Sequence, residues 1–160
     1  MKQTSELSFT QEDPETQDSR TLLEELSTTL QAITTSTGKN SFDPTDVKVP
    51  RSIFILARDK EGKPVACGGF RPVDENIAEI KRIYVREKRK GIGRQILNYL
   101  ETEAKAMNYK SLQLETRVVN KTAVSFYKAA GYHIIDNYGK YAGRRECICF
   151  AKDLRTNSEF

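Results

Sequence analysis

Residues 77–98 read IAEIKRIYVREKRKGIGRQILN. The first nine are rich in β-branched and aromatic side chains and read as a strand. A basic turn with Gly91 and Gly93 follows, and Ile92, Ile96, Leu100, Ala104 and Met107 then recur at helical spacing. Strand, glycine turn, helix is an arrangement that suits phosphate. Glycine lets the backbone approach a ligand, and the free amides of a first helical turn carry the positive end of the helix dipole. Ser, Thr, Asp and Asn are all missing from the expected N-cap, so no side chain of the protein answers those amides.

Two phosphate loops are excluded by spacing. A P-loop requires G-x-x-x-x-G-K-[ST], and a dinucleotide fold requires G-x-G-x-x-G with an acidic residue about 20 positions on; neither is present. Lys88-Arg89-Lys90-Gly91-Ile92-Gly93, preceded by Ile83-Tyr84-Val85, instead resembles the acyl-CoA pyrophosphate loop of the GNAT N-acetyltransferase superfamily. The family pattern begins with Gln or Arg, and Lys88 departs from it, keeping the charge but not the guanidinium fork. A second stretch, Asn120-x-x-Ala123-x-x-Phe126-Tyr127-x-x-x-Gly131-Tyr132, resembles the family's other recurring motif. Two motifs at matching separation are more specific than one glycine pair, and the resemblance spans roughly Leu7 to Leu154.

The 160 residues suit one domain, 1–160. The composition is that of a soluble chain, with 38% hydrophobic and 30% charged residues. Its apolar runs are too short to span a bilayer. The start, MKQTSELSFTQEDPE, is acidic and has no apolar run of the kind a secretory signal needs, so the expected location is the cytoplasm. Cys67, Cys147 and Cys149 lie in apolar, strand-like runs and read as buried free thiols. Cys147-x-Cys149 with His133 makes no zinc pattern, and no metal is expected. The net charge of +4 owes much to Arg86, Lys88, Arg89, Lys90 and Arg94, a cluster that a ligand with several phosphates or a nucleic acid would equally explain.

Taken in order, residues 6–10 form a short strand. Asp13-Pro14 then opens a helix, with Leu22, Leu23, Leu26, Leu30 and Ile33 on one stripe. Residues 34–50 are polar and turn-rich, either disordered or a functional cover. Strands at 52–57 and 64–70 flank an Asp59–Gly62 hairpin turn, and Gly68-Gly69 points to a bulge or a close neighbour. The helix after the loop carries Glu101 and Lys105 as an outward pair and ends at Asn108. A strand at 111–116 follows through a helical crossover and so runs parallel to the one before. Asn120 then caps a helix that Gly131 stops, and two strands, at 132–136 and 146–151, close the chain. This order matches the GNAT fold: an α/β (α+β) domain with a central mixed, mostly antiparallel sheet of about seven strands, helices on both faces, and a splay between the fourth and fifth strands.

The resemblance implies acetyl-CoA as cofactor. Ile83, Tyr84 and Val85 would meet the pantetheine arm by main-chain hydrogen bonds, and amides of Arg89, Lys90, Gly91, Ile92, Gly93 and Arg94, with Lys88 beside them, would hold the pyrophosphate. Asn120, with Ala123, would approach the arm from the other side. Tyr127 matches the family's general acid; it also fits a core aromatic whose hydroxyl caps a backbone group. Glu79 matches the strand glutamate that deprotonates the amine, or else forms an ion pair with Lys81 or Arg82. Glu115 is the other candidate for base or for orienting the amine, and many amines need only desolvation. Lys140, Arg144 and Arg145, in the last hairpin, either attract a carboxylate on the acceptor or form a solvated charge run.

The reaction expected is acetyl transfer from acetyl-CoA to an amine of a small molecule or peptide, in a ternary complex, by a monomer or homodimer with no membrane or nucleic-acid partner. Two rivals are a non-catalytic acyl-CoA-binding module with the same pocket, and a nucleic-acid-binding domain built on the basic turn, which lacks interleaved aromatics.

Overall fold

The computed structural model describes residues 6–36, 39, 42–86 and 91–155. Its strands are β1 (Ser8–Gln11), β2 (Ile53–Arg58), β3 (Pro64–Pro72), β4 (Ile77–Val85), β5 (Ser111–Arg117), β6 (His133–Ile135) and β7 (Cys147–Asp153). The helices are α1 (Gln17–Thr34), α2 (Ile92–Ala106) and α3 (Lys121–Ala129). All seven strands join one sheet in the order β1-β2-β3-β4-β5-β7-β6. Every pairing is antiparallel except β4 with β5, which the α2 crossover makes parallel.

Alternation along the strands sorts two apolar layers. Ile53, Ile55 and Ala57 on β2, Ala78 and Ile80 on β4, and Leu112 and Leu114 on β5 pack with the α2 stripe Ile92, Ile96, Leu97, Leu100 and Ala104. Phe54 and Leu56 on β2 and Cys67 on β3 face the opposite way, against Leu22 of α1 and Val47. Because β2 is covered on both faces, its sequence is a continuous apolar run rather than an alternating one.

The phase of β4 changes part-way. Ala78 and Ile80 face the main core, but so do Ile83 and Val85, which is possible only if one residue is extra. Arg82 is that residue, at φ +58 in the left-handed region. The register with β3 jumps accordingly, from Gly69↔Lys81 to Cys67↔Tyr84. Both readings of the glycine pair hold here. Gly68 lies opposite the bulge, and a Cβ on Gly69 would stand 2.5 Å from the Ile53 carbonyl oxygen.

Several boundaries differ from expectation. Asp13 turns the chain rather than capping the helix, accepting from the Glu15 amide at 2.8 Å; Thr16 is the N-cap, accepting from the Ser19 amide. In the 34–50 segment, Pro44–Val47 forms a 3₁₀ turn under an Asp43/Asp46 capping box, and Val47 is buried. Glu101 points at Tyr132 and Lys152, accepting from the hydroxyl at 2.8 Å and the ammonium at 3.2 Å, because β7 passes that side of α2. Asn108 ends α2 as expected, at φ +71.

Candidate active site

The parallel pairing of β4 with β5 lasts three residues, Ile77↔Ser111 to Glu79↔Gln113, and then stops. Beyond it β5 keeps its partner β7 as far as Arg117↔Cys147, while β4 keeps β3 as far as Val85. The two strands diverge, and a cleft of about 410 Å³ opens between them. Its walls are β4 from Glu79 to Val85, β5 from Leu114 to Arg117, the head of α3, and Leu26, Leu30 and Ile33 of α1. The splay expected between the fourth and fifth strands is thus this slot.

At one end of the slot stands the N-terminus of α2. Gly91 is its N-cap, at φ +90 and without any side-chain cap bond, so among the described residues the first-turn amides have no acceptor from a capping side chain. Gly93 lines the cleft, and a Cβ there would press the Phe126 ring at 3.3 Å. Ile92 is fully buried and anchors the helix, and Arg94 is exposed on its first turn. Lys88, Arg89 and Lys90 lie outside the described residues. Of the basic cluster, Arg86 is engaged by Glu25 of α1 at 2.7 Å.

The α3 side supplies Asn120, Ala123 and Tyr127, all lining the cleft. Asn120 caps α3 by accepting from the Ala123 amide at 3.2 Å. Tyr127 is packed edge-on against Phe126 and Tyr132, with its ring in the main core. Its hydroxyl makes no hydrogen bond with any described residue, so the backbone cap that a purely structural tyrosine would form is not there. Burial pushes this phenol well above its ordinary pKa, which keeps the proton on oxygen.

A polar cluster fills the opposite side of the slot. Glu79 is 3% exposed, holding Arg71 at 3.1 Å on one oxygen and the Tyr138 hydroxyl at 2.8 Å on the other. Lys81 lies 3.7 Å from Glu79 and donates to the Tyr141 hydroxyl at 3.1 Å. Of the anticipated ion pairs, the one with Lys81 is made, and Arg71 makes a closer one. Arg82, placed by the bulge, reaches across to Ser27 at 2.6 Å on α1. Glu115 lines the cleft from β5 and accepts from Arg117 at 3.1 Å.

The last hairpin contributes differently from expectation. Lys140, Arg144 and Arg145 are exposed and are not among the cleft-lining residues, and Arg144 pairs with Glu146 at 2.9 Å. What the hairpin sends inward is Tyr138 and Tyr141, both against Cys147 and Cys149. Sequence reading named Lys81 only as an ion-pair partner of Glu79, and passed over Arg117, Tyr138 and Tyr141 as site residues. The usable signals were charged residues at alternate positions of otherwise apolar strands, and paired tyrosines in a basic loop. The three cysteines are free and buried as expected, burial raising the Cys67 thiol to about 12 and Cys147 to about 11.

The acetyltransferase (GNAT) family model matches residues 18–132, which include both strands of the splay, the α2 head and α3. The chain belongs to the GNAT acetyltransferase family. It is 30% identical over 123 residues to an "IAA acetyltransferase" of Azospirillum brasilense, covering 75% of this chain and 80% of that one. Among solved structures it resembles a GNAT-family acetyltransferase of Staphylococcus aureus Mu50 at a TM-score of 0.74 and 16% identity, covering 94% of this chain and 100% of the other. A GNAT acetyltransferase of Elizabethkingia anophelis, crystallised with acetyl-CoA bound, superimposes at 0.68 with 19% identity over 92% and 97%. This GNAT chain is an acetyltransferase, its family acting on amine acceptors, and no helix among its described residues is long and apolar enough to cross a membrane.

Proposed function

We propose that this GNAT domain, the whole of 1–160, transfers an acetyl group from acetyl-CoA to a primary amine of a small molecule or peptide. Attack is direct, within a ternary complex. The observation that carries the reading is the slot itself: a cleft that opens where β4 leaves β5 and runs to a helix head without a side-chain cap. A diphosphate suits the amides of Gly91, Ile92, Gly93 and Arg94, and Lys88, Arg89 and Lys90, which precede them in sequence, carry charge of the sign a diphosphate needs. The main chain of Ile83, Tyr84 and Val85, unpaired toward β5, suits the amides of a pantetheine arm, with Asn120 and Ala123 across from it.

In transfer, the amine nitrogen bonds to the acetyl carbon as the carbon–sulfur bond breaks. Glu79 takes the proton the amine loses, and Tyr127 gives one to the departing sulfur. The two approach from opposite faces of the sheet, since Tyr127 belongs to the α2–α3 core and Glu79 to the cluster around Tyr138 and Tyr141. Glu115 orients the acceptor from β5. Lys140, Arg144 and Arg145, exposed near Tyr141, act at longer range by drawing acidic acceptors from solution. Three free thiols suit a reducing compartment, and the reading places the enzyme in the cytoplasm.

A panel of amines incubated with acetyl-CoA while free thiol is followed tests this function. Thiol release dependent on one class of amine is the expected result. CoA binding without release in the presence of any amine would reduce the domain to an acyl-CoA-binding module.

A further inference from the structure

Among the described residues, Lys81 is the lysine that lines the cleft, and its side chain is 7% exposed. It stands two residues past the last β4–β5 pair, directly before the bulge. Its ammonium gives one hydrogen bond to Tyr141 and meets Glu79 only at 3.7 Å. Arg71 and Tyr138 already hold that carboxylate more closely. Among the described residues the charge of Lys81 is therefore only partly answered, in a place where leaving it so is costly.

Across the slot, Arg117 spends Nη1 on Glu115 and on the Cys147 sulfur, at 3.1 and 3.0 Å. Its other guanidinium nitrogens make no hydrogen bond or ion pair with described residues, and Arg117 is among the residues lining the cleft. Two cations thus stand on the two walls of one slot, beside an apolar flank formed by Leu26, Leu30 and Ile33.

We infer that Lys81 and Arg117 form a carboxylate-binding subsite, and that the acceptors are amino carboxylic acids with an apolar body rather than polyamines. This rests on the acyl-transfer reading of the cleft and adds to it the class of acceptor. Lys81 serves specificity by touching the acceptor, distinct from the proton transfers given to Glu79 and Tyr127. The groups that face Lys81 are Glu79 and Glu115, which favour its charge, Arg71 and Lys140, which oppose it, and Tyr141. Burial is the largest influence and lowers its pKa, so the subsite weakens at a pH below that of an ordinary lysine.

The test compares amino acids with their decarboxylated amines, phenylalanine with phenethylamine and leucine with 3-methylbutylamine, as acceptors for the wild type, Lys81→Met and Lys81→Arg. In the wild type the acid of a pair is expected to exceed its amine in kcat/KM by about 10- to 100-fold. Lys81→Met collapses the ratio by raising KM for the acid alone, and Lys81→Arg retains part of it. The wild-type ratio also falls as pH rises through the lowered pKa of Lys81, a change that a merely structural lysine would not produce. CoA affinity and the unfolding midpoint of Lys81→Arg report whether the cleft is intact. A wild type that binds CoA yet acetylates the decarboxylated amines as well as the acids overturns this inference alone. So does a Lys81→Met enzyme slowed equally on both. A protein that binds no CoA overturns the acyl-transfer reading with it.

Discussion

The Tyr138 hydroxyl donates to Glu79 Oε2 at 2.8 Å, joining the last hairpin to a strand 59 positions earlier. With Arg71 on Oε1, this fixes the carboxylate at the point where β4 and β5 part. Tyr138→Phe leaves a buried acceptor with one donor fewer, and a loss of about 1–3 kcal/mol is expected in urea unfolding. Turnover should fall in the same variant, and Glu79→Gln should fall further, by about 10²–10⁴-fold, with CoA affinity unchanged. Wild-type rates in Glu79→Gln across the amine panel would assign Glu79 to structure alone.

Tyr127→Phe isolates the acid. The hydroxyl bonds to no described residue and its ring packing survives the change, so stability should hold while kcat falls by about 10²–10⁴-fold. Burial holds the phenol protonated through the neutral range, so no limb of the pH–rate profile below pH 10 should belong to it. Unchanged kcat in a folded Tyr127→Phe protein would remove the tyrosine from the mechanism.

How far the chain could be read follows from how local each signal is. The strand from Ile77 and the helix to Ala106 are set by neighbouring residues, and both appear where the pattern puts them, with Gly91 at the helix start. The bulge was also written in the sequence, as a change of apolar phase between Ile80 and Ile83, but only a count across both glycines opposite reveals it. The start of α1 was misplaced because Asp13-Pro14 satisfies capping chemistry and turn chemistry equally, and the Asx turn won. The inward tyrosines could not be distinguished from the outward arginines of the same loop. Which of them turns toward Glu79 depends on a 3₁₀ turn at Gly139–Tyr141 and on contacts with β7.

Gly69→Ala tests the packing of β3 against β2 beside the bulge. The added carbon would meet the Ile53 backbone oxygen at 2.5 Å, and strand β2 has no room to withdraw because it is buried on both faces. Destabilisation of about 1–3 kcal/mol is expected from chemical denaturation. Gly62→Ala is a comparison of another kind, since its Cβ would meet nothing and only its φ of +83 would resist.

Glu25 ties α1 to the end of β4, accepting from Arg86 at 2.7 Å and from the Tyr84 hydroxyl at 3.0 Å. Its hydrogen bond to Arg86 chiefly, with that to Tyr84, holds its pKa below the usual 4.5. A carboxylate with a depressed folded pKa adds stability that is present above the unfolded value and is lost as pH falls through the folded one. The pair is partly exposed, so about 0.2–1 kcal/mol is at stake. Glu25→Gln should lower stability at pH 7 by that amount and converge on the wild type as pH falls through the lowered pKa of Glu25. A constant difference from pH 7 to pH 3 in urea titrations would contradict the assignment.

Crystals grown with CoA offer the most direct trial of the acyl-transfer cleft. The diphosphate is expected on the amides at Gly91–Gly93, the pantetheine arm between β4 and β5, and the sulfur beside the Tyr127 hydroxyl. CoA lodged on another face, or a fully occupied CoA that leaves the slot between Glu79 and Tyr127 empty, would contradict it.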